Sequence, residues 1–470
     1  MITVKNDTYT AYEQDIRELL NAFFPGEEIL PEGPSEAFSV DIDRLMDGTV
    51  LTGIRHEDKS VIKKNLYIYL NEKTGKKLPW GTLTGIKPVK LADKYLSTGI
   101  PEHDVERMLK DKYLISDEKC SLIMGIALKE NSLLKGLPLE NGFSVYTGIP
   151  FCPTRCLYCS FTSNPIGLWK GRTGEYLNAL RKEYESLTGL YHRKTGKNKL
   201  DPSTLYIGGG TPTALSADDL KVLMDIISEY VDMDSLHEFT CEAGRPDSIT
   251  MEKLNVLRNH GVNRISVNPQ TMNQKTLDLI GRRHTVEETR EAFSLARSAG
   301  FTNINMDLIM GLPGETKDDV AYTLSEIEKL RPESLTVHAL AVKRAARLST
   351  EHDPWTDYER AEGDEAALMT AMGAKCAKRM GMEPYYLYRQ KNIAGNQENV
   401  GYCVPGKESL YNIIMMEEKQ AVIGMGAGST TKLSSKERVE NIKDLTQYLL
   451  RTDEVTDRKE KLLAGFFGNE

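Results

Sequence analysis

Three cysteines in the segment CPTRCLYC have the residue type and spacing to bind a metal cofactor. Three residues separate Cys152 from Cys156, and two separate Cys156 from Cys159. Three thiolates can hold three irons of a [4Fe–4S] cluster and leave the fourth iron open to an external ligand. A structural zinc site is the alternative, but it needs a fourth protein ligand and usually a second C-x2-C pair, which this sequence lacks. The spacing favours the cluster, and on this motif alone zinc stays open.

The other cysteines and the bulk composition indicate a chain from a reducing compartment. The cysteine count of seven is odd, and Cys120, Cys241, Cys376 and Cys403 are scattered, so no disulfide framework is expected. The start, MITVKNDTYTAYEQ, has neither a basic region nor an apolar run, and no segment approaches the length of a membrane span. The formal net charge of −8 disfavours binding to polyanions. We therefore expect a cytoplasmic protein that binds neither nucleic acid nor membrane.

The cysteine loop follows the first of several short apolar segments that alternate with helical patterns. The predicted strands are residues 143–149, 204–209, 237–243, 263–269, 303–309 and 334–340. Strands that alternate with helices form a parallel sheet through right-handed crossovers. This pattern predicts an α/β fold with a partial, open (β/α)6 TIM-like barrel. Active sites of such barrels lie in loops at the C-terminal ends of the strands, which is where the cysteines fall.

The segments on either side of the barrel predict two further domains, as expected for a chain of 470 residues. Residues 1–138 carry strand-like stretches at 38–42 and 66–70 and helical patterns at 102–110 and 117–129, which predict an N-terminal α/β domain of unknown role. The barrel is predicted for residues 139–345. Residues 346–470 contain a helical stretch at 358–380, the run PYYLYRQKN and the glycine-rich AVIGMGAGSTT, and predict a C-terminal α+β extension.

Several segments resemble the radical S-adenosylmethionine (SAM) superfamily, and within it the oxygen-independent coproporphyrinogen III dehydrogenase group. YTGIPFCPTRCLYC is similar to that group's cluster loop, and GGGTP follows the second strand, as in the family. NPQTMN, GRRHT and NMDLIMGLPGET then come in the family's order. GTLTGIKPVK before the barrel and YYLYRQKNIAGNQENVGYC after it most resemble the HemZ branch. The resemblance is strong over residues 143–345 and weak in the tail.

The resemblance implies a [4Fe–4S] cluster bound by Cys152, Cys156 and Cys159, with SAM chelating the open iron. It implies that the reduced cluster cleaves SAM to methionine and a 5′-deoxyadenosyl radical, with electrons from a flavodoxin- or ferredoxin-type donor. The residues that match the family's SAM ligands are Tyr146, Tyr158, Gly209, Gly210, Thr211, Glu242, Gln270, Arg282, Asp307 and Ala341. No catalytic side chain beyond the two cofactors is implied.

The resemblance also implies a tetrapyrrole substrate. The reaction would be oxidative decarboxylation of two propionates of coproporphyrinogen III to vinyl groups, giving protoporphyrinogen IX in anaerobic haem biosynthesis. A tetracarboxylate needs cations, and guanidinium groups pair well with carboxylates. The predicted substrate contacts are Lys343 and Arg344 after the last strand and Tyr386 and Arg389 in the aromatic run. Each of the four is equally compatible with an ordinary surface or core side chain.

Two departures from the family pattern keep other functions open. The dehydrogenases carry a fourth cysteine two residues after the third, where this chain has Phe161. A related branch of haem chaperones also lacks that cysteine, but it carries H-N-x-x-Y-W where this chain has YNIIMM. The alternatives are therefore a haem-binding delivery protein and another radical reaction on haem, such as methyl transfer. The sequence does not indicate an oligomeric state.

Overall fold

A computed structural model describes residues 1–31, 38–47, 55–85, 87–161, 163–341, 363–390 and 397–468. The chain forms two units. The first comprises Met1–Lys129, Glu362–Asp364 and Leu387–Glu398, and the second comprises Glu130–Ala361, Glu365–Tyr386 and Asn399–Glu470. The division at Lys129 lies close to the predicted boundary at 138, but the predicted extension after residue 345 is not a unit of its own. Among the described residues, no helix has the length and apolar character to cross a membrane.

The first unit combines a small parallel sheet with helices. Its elements are β1 (Ile2–Lys5), α1 (Glu13–Phe23), β2 (Ile29–Leu30), β3 (Phe38–Asp41), α2 (Ile42–Leu45), α3 (Arg55–Thr74), α4 (Pro88–Leu96), α5 (Glu102–Tyr113) and α6 (Asp117–Leu133), the last of which ends in the second unit. Strand β1 lies between β2 and β3. The strand predicted at Leu66–Leu70 is wrong, because this stretch belongs to α3. Ile62, Leu66 and Leu70 recur every four residues and are all buried, which is a helical period.

The second unit contains the barrel. Its elements up to the last predicted barrel strand are β4 (Phe143–Ile149), β5 (Phe151–Cys152), β6 (Asn164–Pro165), α7 (Thr173–Thr195), β7 (Thr204–Gly209), α8 (Ala217–Tyr230), β8 (Glu238–Glu242), α9 (Met251–Asn259), β9 (Arg264–Ser266), α10 (Gln274–Leu279), α11 (Val286–Ser298), β10 (Ile304–Met310), α12 (Lys317–Leu330) and β11 (Ser334–Ala339). Strands β4, β7, β8, β9, β10 and β11 are neighbours in this order and all parallel. The six predicted barrel strands are therefore confirmed.

The C-terminal segment extends this sheet at both edges. Its elements are α13 (Gly363–Arg379), β12 (Glu383–Arg389), β13 (Glu398–Cys403), α14 (Leu410–Glu417), β14 (Ala421–Met425), β15 (Thr430–Lys432), β16 (Arg438–Glu440), α15 (Leu445–Leu450) and α16 (Thr452–Phe466). Strand β14 pairs parallel to β4, and β13 pairs antiparallel to β11. The glycine-rich segment predicted as part of a separate extension is thus a strand of the barrel sheet. This pairing explains why the predicted boundary at 345 does not divide the chain.

A buried ion pair ties the last helix to the barrel. Glu183 on α7 and Lys459 on α16 form a salt bridge, and both side chains are fully buried. The carboxylate of Glu183 also accepts hydrogen bonds from the hydroxyl of Tyr448 and from Nδ2 of Asn441 at 3.2 Å. Lys459 also donates to the carbonyl oxygen of Gly424 on β14. Because Glu183 and Lys459 are both buried, removing either side chain leaves the charge of the other uncompensated.

We expect Lys459→Met to lower the free energy of unfolding by about 3–5 kcal/mol, because Glu183 then stays buried without its ammonium partner. Urea denaturation of the chain measures this loss. Lys461→Met, a matched change at an exposed position of the same helix, should cost less than about 0.5 kcal/mol. Equal effects of the two variants would contradict the role assigned to the pair.

Candidate functional site

The three cysteines lie in the loop at the C-terminal end of β4. Cys152 ends the short strand β5, which pairs with β6. Cys156 is buried and Cys152 and Cys159 are partly buried, and all three are free thiols. The N–H of Leu157 donates to the carbonyl of Ile280 at 3.1 Å, and this hydrogen bond fixes the loop to the end of α10. The cysteine loop is therefore built into the mouth of the barrel.

The arrangement of the thiols differs from a single-ion site. In the described part of the chain, no three His, Cys, Asp or Glu side chains converge to hold one metal ion. Zinc requires four ligands around one ion, whereas the thiolates of a [4Fe–4S] cluster each bind a different iron. Burial raises the pKa of Cys152 to about 11, and a contact of 3.5 Å with the hydroxyl of Thr211 partly opposes this. The Cys152 thiol is thus protonated until a metal displaces the proton.

A glycine loop after β7 packs directly against the cysteine loop. The N–H of Gly210 donates to the carbonyl of Ile149, and the N–H of Thr211 donates to the carbonyl of Phe151, both at 2.7 Å. A Cβ on Gly210 would lie 2.8 Å from the oxygen of Ile149, and one on Gly208 would lie 3.1 Å from the carboxyl of Glu242. Only glycine fits this close approach. The loop leaves a side-chain-free cradle beside the cysteines.

Three stacked tyrosines and a carboxyl form one wall of the cradle. The ring of Tyr206 lies 4.5 Å from that of Tyr411 and 6.2 Å from that of Tyr146, with nearly parallel planes. The hydroxyl of Tyr206 donates to Oε1 of Glu242 at 2.6 Å. Burial raises the pKa of Glu242 to about 7, although the hydrogen bond from Tyr206 opposes the shift. Glu242 is thus poised to gain a cationic partner, because such a partner would stabilise its charged form.

The segments after β9 and α10 and the strand β10 carry Gln270, Arg282 and Asp307, respectively. Gln270 is held at a positive φ of 68° by backbone hydrogen bonds to Asp307 and Ile309, and its side-chain oxygen is buried without a partner. Arg282 is buried and donates to the hydroxyl of Tyr158 at 3.0 Å, while its Nε has no partner. Although burial raises the pKa of Asp307, hydrogen bonds from His338, Asn305 and Thr336 hold it below its usual value. The unpaired Gln270 and Arg282 atoms fit a polar ligand.

A cavity of about 470 Å³ opens beside this cradle. It is lined by Tyr146, Gly209, Arg155, Phe161 and the turn at residues 427–430 between β14 and β15. Phe161, which stands where the dehydrogenases have a fourth cysteine, is 63% exposed. The cavity therefore lies between the cysteine loop and the glycine-rich segment, and Phe161 faces open space next to it.

The predicted substrate contacts have different surroundings. Tyr386 is buried in the barrel unit, where burial and then the carboxyl of Asp307 raise its pKa. Arg389 is 3% exposed, donates to the carbonyl of Leu83 at 2.6 Å and stacks on Trp80. Its contacts are thus with the first unit. Ala341 follows β11 at the barrel mouth, and Lys343 and Arg344 lie outside the described residues.

Three polar residues beside the site were not predicted from the sequence. Tyr206 and Tyr411 form the stack described above, and Arg245 approaches the cysteine loop itself. Nη1 of Arg245 lies 3.6 Å from Sγ of Cys156 and 3.1 Å from Oγ1 of Thr154. The signal for Arg245 was available, because AGRPD follows directly on β8 at the same edge as the other site loops.

Comparison with known proteins agrees with this architecture. Residues 146–327 match the model of the radical SAM superfamily. An "oxygen-independent coproporphyrinogen-III oxidase-like protein HemZ" of Bacillus subtilis is 43% identical over 85% of this chain and 81% of its own length. This chain belongs to the radical SAM superfamily. Within it, the chain belongs to the group of oxygen-independent coproporphyrinogen III oxidase-like proteins.

Other members of the radical SAM superfamily are also similar. The haem chaperone HemW of Bacillus subtilis is 40% identical over 43% of this chain and 51% of its own length. The solved structure of the coproporphyrinogen III oxidase HemN from Escherichia coli has a TM-score of 0.55 at 23% identity, covering 70% of this chain and 73% of its own. The HemN likeness supports the fold. These relatives thus resemble this chain, but their names describe different functions.

Radical SAM proteins use a [4Fe–4S] cluster and SAM, and these are the cofactors of this chain. The residues at the barrel mouth fit both groups. Three free thiols that do not converge on a single-ion site among the described residues suit a cluster with one open iron. The side-chain-free cradle, the unpaired oxygen of Gln270 and the carboxyl of Glu242 suit the amino-acid end of SAM.

Cys152→Ala should abolish iron binding in anaerobically reconstituted protein, because two thiolates cannot retain the cluster. Iron and sulfide analysis and the visible absorbance measure the loss. Cys376→Ala removes a buried thiol of α13 and should leave the iron content unchanged. A full complement of iron in Cys152→Ala would contradict the ligand assignment.

Glu242→Gln should change how the stability of the chain without SAM depends on pH. The pKa of Glu242 is about 7 in the folded chain, above its value in the unfolded chain. Ionising this buried carboxyl therefore costs stability as pH rises, and glutamine removes that cost. Relative to the parent, the variant should gain about 2–3 kcal/mol of unfolding free energy between about pH 5 and pH 8.

Urea denaturation across this pH range measures the gain. Glu252→Gln, at an exposed position of α9, should show no such trend. A difference between Glu242→Gln and the parent that stays constant with pH would contradict the raised pKa.

Proposed function

We propose that this chain catalyses the oxidative decarboxylation of coproporphyrinogen III to protoporphyrinogen IX. The observation that carries the proposal is the extent of the likeness. Similarity to the coproporphyrinogen-III oxidase-like HemZ extends over 85% of this chain, whereas that to the Bacillus haem chaperone covers 43%. The longer match must include sequence outside the shared barrel. Substrate choice is therefore assigned by analogy with that relative.

In this reaction each of two propionate side chains becomes a vinyl group. A hydrogen atom leaves the β-carbon, the carboxylate leaves as CO2, and one electron passes to an acceptor. The cluster and SAM supply the hydrogen-abstracting radical when they are bound. The chain's own task is to hold SAM and exclude water. Glu242, Gln270, Arg282 and Asp307 would hold SAM, and the tyrosine stack would close one wall of the site to solvent.

The predicted electron donor is a flavodoxin- or ferredoxin-type protein, since the cluster must be reduced before each turnover. All seven cysteines are free thiols, which supports a reducing compartment and, with it, the cytoplasm. Tyr386 remains a proposed substrate contact because it lies in the barrel near Asp307. The surroundings of Arg389 favour a structural role for it in the first unit.

A second candidate function is haem binding and delivery. The identity of 40% with a haem chaperone and Phe161 in place of the fourth cysteine favour it. The segment YNIIMM argues against it, because it lacks the histidine of the chaperones' H-N-x-x-Y-W motif and its tyrosine, Tyr411, is buried in α14. Methyl transfer to haem stays an alternative outcome of the experiment below.

The test is the mass of the tetrapyrrole product. Anaerobically reconstituted protein with reductant, SAM, coproporphyrinogen III and an electron acceptor should release two CO2 per tetrapyrrole and form 5′-deoxyadenosine. Cys152→Ala serves as the control and should give neither product. Deoxyadenosine without decarboxylated tetrapyrrole would contradict the proposed substrate. Tight haem binding without any deoxyadenosine would favour delivery, and a methylated or opened ring would favour the third reaction.

A further inference from the structure

Arg245 is a buried cation at the edge of the cysteine loop, and the family resemblance assigns it no role. It follows β8 by three residues, and only 3% of its surface is exposed. Its Nε and Nη2 pair with the two carboxylate oxygens of Asp247 at 2.9 and 2.8 Å. This two-point contact fixes the plane of the guanidinium group. Arg245 therefore has a set orientation in the apo chain.

The remaining nitrogen of that guanidinium faces the cysteine loop. Nη1 donates to Oγ1 of Thr154 at 3.1 Å and to Sγ of Cys156 at 3.6 Å, which is within hydrogen-bond distance for sulfur. Thr154 in turn donates to the carbonyl of Gly281 at 3.2 Å. Arg282 is also buried nearby, but its side chain donates to Tyr158 and to backbone carbonyls. Of these two buried arginines, Arg245 is thus the one that donates to Cys156.

Such a contact bears directly on the energy of a bound cluster. Reduction adds one negative charge to the cluster and its thiolates. A cation that donates a hydrogen bond to a ligand sulfur stabilises the reduced form more than the oxidised form, so it raises the reduction potential. Burial strengthens the effect because water does not screen the charges. The carboxylate of Asp247 acts in the opposite direction and offsets part of the cationic charge.

We propose that Arg245, anchored by Asp247, tunes the reduction potential of the [4Fe–4S] cluster through its hydrogen bond to the Cys156 thiolate. The proposal rests on the cofactors of the family and is independent of the substrate. Arg282 adds a second positive charge to the same region. His284 lies fully buried beside both arginines and stays neutral, because burial and their charges lower its pKa to about 3. The charged groups that act on Cys156 are therefore two guanidinium groups and one carboxylate.

The test is a redox titration of the reconstituted chain followed by EPR of the reduced cluster. Arg245→Gln should shift the potential to a more negative value. At a fixed potential, the ratio of reduced to oxidised cluster should fall about tenfold, which is about 59 mV for one electron. Asp247→Asn should shift the potential in the opposite direction, because Arg245 then loses its counter-charge. Arg245→Lys should fall between the parent and Arg245→Gln.

Matched controls separate tuning from folding. Arg290→Gln removes the same charge from an arginine of this unit that pairs with Glu287 and Glu326, and it should leave the potential unchanged. Iron content and the unfolding temperature report whether each variant assembles. Equal potentials in the parent, Arg245→Gln and Asp247→Asn would overturn the proposal. If Arg245→Gln fails to retain iron, Asp247→Asn decides alone, and an unchanged or lowered potential in that variant overturns it.

Discussion

Two backbone hydrogen bonds, from Gly210 to Ile149 and from Thr211 to Phe151, join the glycine loop to the cysteine loop. They require the backbones to approach so closely that a Cβ at Gly210 would overlap the carbonyl oxygens. This contact sets Cys152 beside Thr211 and leaves the side-chain-free surface of the glycines at the barrel mouth. The parallel pairing of β4 with β7 supplies the register for it. Cofactor binding in this chain thus depends first on backbone geometry and only then on side-chain chemistry.

The site also holds polar groups whose bonding is incomplete in the chain alone. The side-chain oxygen of Gln270 and Nε of Arg282 are buried without partners, and burial raises the pKa of the Glu242 carboxyl to about 7. Unpaired buried polar atoms reduce stability, typically by about 1–3 kcal/mol each. The chain recovers this cost only when a ligand completes the bonds. By contrast, the buried pair of Glu183 and Lys459 is fully partnered and secures the strand β14 next to the cavity.

Much of the barrel followed from sequence because its strands are short apolar segments separated by helical patterns. The cysteine spacing likewise predicts the cluster ligands, and the structure places all three thiols at the mouth of the barrel. Other features depend on tertiary context. The stretch Leu66–Leu70 is too short for its apolar pattern alone to distinguish a strand from a helix. The repeat of an apolar residue every four positions becomes evident only when Ile62 is included. The pairing of β14 with β4 joins residues almost 300 positions apart (Ala421 with Phe143), and nothing local encodes it. Arg245 was missed because a lone arginine on a loop is usually solvated.

Three cysteines should leave one iron of the cluster open for SAM at the mouth of the barrel. The most direct measurement is the EPR spectrum of the reduced cluster before and after addition of SAM, with SAM binding confirmed separately by equilibrium dialysis. SAM should change the spectrum, because it would bind the open iron. An unchanged spectrum at a SAM concentration that saturates binding would show that SAM does not bind that iron.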